Sequence, residues 1–371
     1  MALSAAERER YGRHLVLEEI GPAGQERLRA ASIVLIGAGG LGSPAALYLT
    51  ASGIGRLGII DADRVELSNL QRQVLFDTAS VGRPKAEVAR ERLLALNPGV
   101  QVEAHAVELR AANARALLQP YDVVIDGTDR LATRYLVNDA CVLFGKPLVS
   151  AAIHRFEGQA ITYVPGRGPC YRCLFPRALD AHVGSCAEAG VLGVLPGVLG
   201  ALQATEAIKL IAGIGTPLAG RILTYDALEM RFECLQFARR RDCAVCGDEP
   251  SIRELHDAAA ACAPASLEAV RRLSPAQLRE LLESASPPAL IDVREPAEFA
   301  RGHVRGAVNV PLGELSARLG AVPADRLVFY CRSGARSLSA CALAIATGAQ
   351  IAHLEGGTLA WEQAGEPLVI A

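Results

Sequence analysis

The sequence predicts an α/β protein: a doubly wound, Rossmann-like unit with a mostly parallel sheet, then a second, smaller α/β unit. Three observations carry this. An apolar strand runs straight into a glycine turn at "SIVLIGAGGLG" (32–42). Apolar strands then alternate with helical stretches, the pattern of a parallel sheet covered by helices. After residue 266 the alternation restarts, and 371 residues suit two domains better than one.

Taken in order, Ser4 and Glu7 make a capping-box pattern that predicts a first helix through Glu19. Residues 31–53 read as strand, turn and helix, and "LGIIDAD" (57–63) as the next strand. A helix is expected around 84–96, then strands at "QVEAHAVEL" (101–109) and "YDVVIDGTD" (121–129), with "GKPLVSAAI" and "QAITYVP" beyond them. The apolar "AGVLGVLPGVLGALQAT" (189–205) holds four glycines and Pro196, so it reads as a buried loop and helix rather than a membrane span. The alanine-rich, proline-bracketed segment 248–266 is expected to be a linker. The last unit, 267–371, opens on a Ser274/Gln277 capping pattern and continues through "PALIDVRE", "GAVNVP", "RLVFYCRSGAR" and "IAHLEGG".

Charge excludes some functions. The net charge of −2 comes from interspersed acids and bases, which gives no reason to expect nucleic acid or an anionic membrane as partner. The charged N-terminus lacks an apolar leader core, so a cytoplasmic location is expected. Ten cysteines in a reducing compartment call for metal, catalysis or burial rather than disulfides.

Four patterns carry chemistry. Gly37, Gly39 and Gly42 form G-x-G-x-x-G after a strand, a turn that lets backbone approach phosphate, and Asp61 ends the next strand where a ribose hydroxyl would bind. That much fits NAD as readily as ATP. Arg72 and Lys85 add two cations that a dinucleotide does not need and that a triphosphate losing pyrophosphate does. Asp129 is placed to hold Mg²⁺. Cys170/Cys173 and Cys243/Cys246 are two C-x-x-C pairs, the donor set of a closed, structural Zn²⁺ site. Cys331 sits between a buried strand and a helix in "CRSGAR", where loop N–H groups, the helix end, Arg332 and Arg336 favour the thiolate. Only four residues separate Cys331 from Arg336, a loop tighter than the five-residue phosphatase cradle and suited to a single sulfur atom. Asp292 and Arg294 read as scaffold, His303 as packing, and Cys141, Cys234, Cys262 and Cys341 as core or incidental.

Together "GAGGLG", "VELSNLQRQ", "GRPK", "RYLVNDAC", "GKPLVSAA", "PCYRCLFP", "SCAEAGVLG" and the second C-x-x-C resemble the MoeB/ThiF family of adenylating enzymes, bacterial relatives of ubiquitin-activating enzymes. The resemblance spans residues 5–247 and implies a homodimer that uses ATP and Mg²⁺ to adenylate the C-terminal glycine of a ubiquitin-like sulfur carrier protein (MoaD/ThiS type). It implies nucleotide contacts at Gly37, Gly39, Gly40, Gly42, Asp61, Asp63, Ser68, Asn69, Leu70, Gln71, Arg72, Lys85, Asp129 and Arg130. The family often has asparagine where Arg130 stands. It also implies that Arg13 reaches into the partner subunit's site, that the four paired cysteines hold zinc, and that Cys186 links covalently to the activated carrier. "LIDVREPAEFARGHVRGAVNVP" and "HLEGGTLAWEQAG" make the last unit resemble a rhodanese, a carrier of persulfide sulfur.

The expected domains are therefore an adenylation domain at 1–247, a linker at 248–266 and a rhodanese-like domain at 267–371. The expected reaction joins them. A persulfide on Cys331, charged by a cysteine desulfurase or another sulfane-sulfur donor, intercepts the acyl adenylate and leaves a thiocarboxylate on the carrier, for molybdopterin, thiamine or related biosynthesis. Two rival readings are an NAD-dependent oxidoreductase with an accessory domain and a non-enzymatic carrier-binding scaffold.

Overall fold

The structure, a computed structural model, describes residues 2–176, 190–257, 270–318, 325–332, 334–344 and 348–370. Its contacts divide the chain into two compact units. Cys186 and Cys262 lie outside the described residues.

The first unit is built on an eight-stranded sheet: β1 (Ser32–Ile36), β2 (Arg56–Ile60), β3 (Gln101–His105), β4 (Val123–Asp126), β5 (Leu148–His154), β6 (Glu157–Tyr163), β7 (Arg221–Asp226) and β8 (Arg231–Gln236). The spatial order is β3-β2-β1-β4-β5-β6-β7-β8. The first five strands are parallel, and β6 to β8 extend the sheet as an antiparallel meander. Period-2 alternation places the central side chains on both faces. Ile33, Leu35, Leu57 and Ile59 pack against the helices Gly42–Ala51, Lys85–Leu96 and Leu195–Ala212. Val34, Ile36, Ile60 and Val124 pack against Ala111–Leu118 and Leu131–Phe144.

Several elements are shorter than the sequence suggests. The first helix is interrupted between Ala5–Arg10 and Gly12–Leu15, because Tyr11 turns inward and its hydroxyl accepts from Asn97 Nδ2 at 2.9 Å. The strand expected over 121–129 covers only Val123–Asp126, since the chain turns at Gly127. Leu195–Ala212 is long and apolar enough to cross a membrane, yet it packs on β5, β6 and the helix Gly42–Ala51. Residues 248–257, expected as linker, are held by the first unit: Ile252 and Leu255 join its core, and Ala111 N donates to Asp257 Oδ1 at 2.7 Å.

The glycine turn follows β1. Gly37 has φ +87° and its N–H donates to Ile60 O, while Gly127 N donates to Ile36 O. A Cβ on Gly37 would lie 3.0 Å from Gly127 O, and one on Gly42 would fall on Gly37 O. Gly39 differs: the nearest atom to its absent Cβ is Gln73 Nε2, 3.7 Å away.

Below this turn a buried ion pair fixes the end of β4. Asp126 Oδ1 accepts from Thr128 N and Oγ1, and Oδ2 accepts from Arg134 Nε at 3.1 Å and Ser150 Oγ at 2.8 Å. Arg134 Nη2 donates to the carbonyls of Thr128 and Ala151 at 2.8 and 2.9 Å. Both carboxylate oxygens are answered, which is what makes a fully buried carboxylate tolerable.

The second unit is a five-stranded parallel sheet of β9 (Arg271–Leu273), β10 (Ala289–Asp292), β11 (Val308–Asn309), β12 (Arg326–Tyr330) and β13 (Gln350–Leu354), ordered β11-β10-β12-β13-β9. The Ser274/Gln277 capping box forms as expected. Asp292 is buried and paired with Arg294, which also donates to Gly302 O, so the two brace the turn after β10. His303 stacks on Phe299 with ring centroids 3.7 Å apart.

Two stability predictions follow from these contacts. Gly42→Ala is expected to lower the urea midpoint clearly, whereas Gly39→Ala leaves it unchanged, because only the first lacks room for a methyl. Arg134→Met strands a buried carboxylate and should cost ~3–5 kcal/mol by urea denaturation.

Candidate functional sites

The strand order reverses at β1, whose neighbours β2 and β4 lie on opposite sides. In such sheets the crevice beyond the C-terminal ends of the strands is where ligands bind. The Gly37–Gly42 turn, Asp61 after β2 and the Gly127–Asp129 turn after β4 all lie there. Asp61 is buried; its Oδ2 accepts from Ala38 N at 2.7 Å and its Oδ1 from Asp63 N at 2.8 Å. Burial pushes its carboxyl above the ordinary range, with the charge of Lys85 opposing. One of the carboxylate's tasks is therefore to hold the glycine turn, beyond the ribose contact expected of it.

The "LSNLQRQ" segment runs alongside. Leu67–Asn69 is a single 3₁₀ turn, in which Asn69 is buried and Ser68 exposed. Leu70 and Arg72 are half-buried and Gln71 is exposed. Arg72 is braced by an Nη1 bond to Ser68 O at 3.1 Å, and its Cγ lies 3.6 Å from where a Gly40 Cβ would be. Lys85 opens its helix buried, with Nζ 3.2 Å from the exposed carboxylate of Asp63. Asp129 and Arg130 are exposed, and Arg130 reaches Glu108 at 3.2 Å. Asp126 is engaged by Thr128, Ser150 and Arg134, whereas Asp129, three residues on, is exposed. Arg13 is exposed near the start of the chain, beside exposed Val16 and Leu17.

Sequence reasoning missed two residues here. Gln73 is buried beside Gly39, and its Oε1 has no hydrogen-bond partner among the described residues. The open space at Gly39 and this unanswered oxygen fit a polar ligand over the turn. Its signal was the last letter of "NLQRQ". Arg134 gave no signal of its own, since its role exists only through Asp126.

The four paired cysteines converge, with all four Sγ atoms within 4.8 Å of one another. Cys170 and Cys243 are 3.7 Å apart, and Cys173 and Cys246 3.4 Å. A tetrahedral ion with metal–sulfur bonds of about 2.3 Å has sulfur–sulfur edges of about 3.8 Å, so the donor set fits a metal. Neighbouring side chains aim the first pair: Tyr171 N donates to Asn138 Oδ1, and Arg172 is bidentate to Asp139 at 2.6 and 2.7 Å.

In the second unit Cys331 directly follows β12, and the helix Ala335–Ala344 begins just beyond it. Its sulfur is buried and accepts from Gly334 N at 3.1 Å. Gly334 has φ +100°, the left-handed turn that aims this N–H. The loop is clamped from the side by Gly356–Gly357: Thr358 N donates to Cys331 O at 2.8 Å, and a Cβ on Gly357 would fall on Cys331 O. Arg336 is bidentate to Glu298 at 2.7 and 2.9 Å, a pair missed from sequence because its halves are 38 residues apart. Burial works against the Glu298 carboxylate, and the Arg336 pair overcomes it, holding the group below its ordinary value. Arg332 is exposed. Of the cysteines expected to be incidental, Cys141 and Cys341 are buried, the latter pushed up to about 12 by burial, and Cys234 is exposed on β8.

The sequence profile of the ThiF family matches residues 11–245, and that of the rhodanese-like domain matches residues 274–364. The sulfur carrier protein adenylyltransferase of Thermus thermophilus is 56% identical over 268 residues, which are 71% of this chain and 99% of that protein. The probable adenylyltransferase/sulfurtransferase MoeZ of Mycobacterium tuberculosis is 44% identical over 380 residues, 99% of this chain and 95% of that one. The adenylyltransferase and sulfurtransferase MOCS3 of Bos taurus is 47% identical over 85% of this chain and 72% of its own. Among solved structures, E. coli MccB with ATP superposes with a TM-score of 0.59 at 26% identity, covering 66% of this chain and 75% of that one. With a switch-point crevice in one unit, a cysteine loop in the other and a full-length relative, the chain belongs to the ThiF family and carries a rhodanese-like domain after its ThiF domain.

Proposed function

We propose that this enzyme adenylates the C-terminal glycine of a ubiquitin-like sulfur carrier protein and converts it to a thiocarboxylate with sulfur carried on Cys331. The carrying observation is that one chain holds both stations: a glycine turn at the switch point beside Arg72 and Lys85, and a cysteine whose sulfur receives a backbone N–H in a rhodanese-like loop. The names of the relatives support the same pair of activities.

The carrier's carboxylate oxygen attacks the α-phosphorus of ATP, the bond to the β-phosphate oxygen breaks, and pyrophosphate leaves. Arg72 and Lys85 offset the charge that builds on the phosphates, with Gly37, Gly39, Gly40 and Gly42 leaving room for them and Asp61 meeting the ribose. Ser68, Asn69, Leu70 and Gln71 line the nucleotide, with Asp63 steadying Lys85 and Arg130 at the rim. Asp129 would hold Mg²⁺, whose charge works in the same sense. The protein acts as a homodimer in the cytoplasm, each subunit lending Arg13 to its partner's site. Cys170, Cys173, Cys243 and Cys246 would hold Zn²⁺, a structural tie with no open position.

In the second unit the Cys331 thiolate attacks the sulfane sulfur of thiosulfate or of a cysteine desulfurase persulfide. The donor's S–S bond breaks, and sulfite or the desulfurase thiolate departs. The terminal sulfur of the Cys331 persulfide then displaces AMP and leaves an acyl disulfide. The Cys186 thiolate attacks the Cys331 sulfur, releasing the carrier thiocarboxylate and forming a Cys186–Cys331 disulfide, which an external thiol reduces. Arg336 contributes by fixing the loop through Glu298.

Incubation with ATP, a sulfane donor and candidate carriers, followed by weighing the carriers, tests this: the carrier should exchange one oxygen for one sulfur. Cys331→Ala should abolish that gain while ATP–pyrophosphate exchange persists, and Arg72→Ala should slow exchange by ~10²–10³-fold. Retained thiocarboxylate in Cys331→Ala would sink the relay. Elemental analysis should find one zinc per chain, lost in Cys243→Ser together with a lower melting temperature.

A further inference from the structure

The sulfur loop rests on a buried polar pair that the reaction above does not use. Ser337, on the first turn of the helix after Cys331, is buried, and its Oγ donates to Gly334 O at 2.9 Å. The same Oγ lies 3.3 Å from Nδ1 of His353, a buried histidine on β13, and 3.9 Å from Cys331 Sγ. With its own proton spent on Gly334 O, Ser337 Oγ is an acceptor for the imidazole, so Nδ1 carries the proton. Nε2 is then a bare lone pair, and it has no hydrogen-bond partner among the described residues.

We propose that His353 is a positioning residue for the sulfur chemistry of Cys331: its Nδ1–H fixes the Ser337 hydroxyl, the hydroxyl holds the Gly334 carbonyl, and Gly334, pinned on that side of its Cα, keeps its own N–H, on the preceding peptide, aimed at the sulfur. The proposal rests on the reading of Cys331 as the sulfur-bearing residue. The chain of contacts gives the buried ring, set between Ala352 and Leu354 on β13, a polar partner. Without the imidazole, the Ser337 hydroxyl is free to rotate away from Gly334 O, and the left-handed turn at Gly334 loses its side-chain anchor. The benefit grows with negative charge on sulfur, because a hydrogen bond to an anion is stronger than one to a neutral thiol.

Arg272 on the neighbouring strand β9 is paired with Glu355 at 3.6 Å, and Arg336 with Glu298. Cys341 on the same helix as Ser337 donates to Ala352 O. Tyr330 at the end of β12 accepts from Val304 N. Burial and Arg272 hold the imidazole below its ordinary pKa, against Glu355, which favours the neutral ring.

The test follows alkylation of Cys331 by iodoacetamide against pH, read on the Cys331 peptide by mass, in the full-length protein. His353→Phe keeps the volume and removes the donor, and should move the profile upward by about one pH unit. His353→Asn returns a donor near Nδ1 and should restore most of the shift. Ser337→Ala should shift the profile as His353→Phe does, and decides alone if His353→Phe fails to fold. Profiles that superimpose on wild type overturn the proposal, and so does a shift that His353→Asn leaves uncorrected, which would assign the effect to packing. Persulfide loading of wild-type Cys331 is measured in parallel. Failure there rejects the sulfur-carrier reading, while the alkylation profile still judges the relay.

Discussion

The close approach of two backbone turns, Gly37 after β1 and Gly127 after β4, is the constraint around which the first unit is arranged. No side chain fits between them: a Cβ on Gly37 would meet the Gly127 carbonyl at 3.0 Å, and one on Gly127 would meet Gly37 O at the same distance. Their nearness keeps the crevice at the switch point open to ligand rather than filled with protein. It also demands that the end of β4 be rigid, because a turn that drifts by an ångström closes the gap. The buried Asp126–Arg134 pair supplies that rigidity, and Gln203 adds a bond from Nε2 to Asp126 O at 2.6 Å from the helix beneath.

The helix Leu131–Phe144 links this turn to the cysteine cluster. On one side it presents Arg134 to Asp126, and a turn later Asn138 and Asp139 receive the backbone of Tyr171 and the guanidinium of Arg172. Tyr135 sits between, its hydroxyl donating to Phe175 O. One helix thus fixes both the rim of the crevice and the first C-x-x-C pair.

The second unit solves a similar problem at smaller scale. There a single backbone N–H, that of Gly334, meets the Cys331 sulfur. Glycines again do the shaping, Gly334 by its positive φ and Gly357 by yielding space to the Cys331 carbonyl. Of the two arginines of "CRSGAR", Arg336 is paired with Glu298 and Arg332 is exposed.

The order of strands and helices, the glycine turn, the two C-x-x-C pairs and the cysteine loop were legible in the sequence, because each is a local pattern whose physics acts within a few residues. Periodicity told which side chains are buried, and glycine spacing told where backbone must bend. Tertiary structure alone decided the antiparallel extension by β6 to β8, the break at Tyr11, and the docking of residues 248–257 on the first unit. It alone also matched Asp126 with Arg134, Arg336 with Glu298, and His353 with Ser337. Those partners are charged or polar groups buried by packing, and burial makes each one need an answer that only the folded chain, bringing distant residues together, can supply.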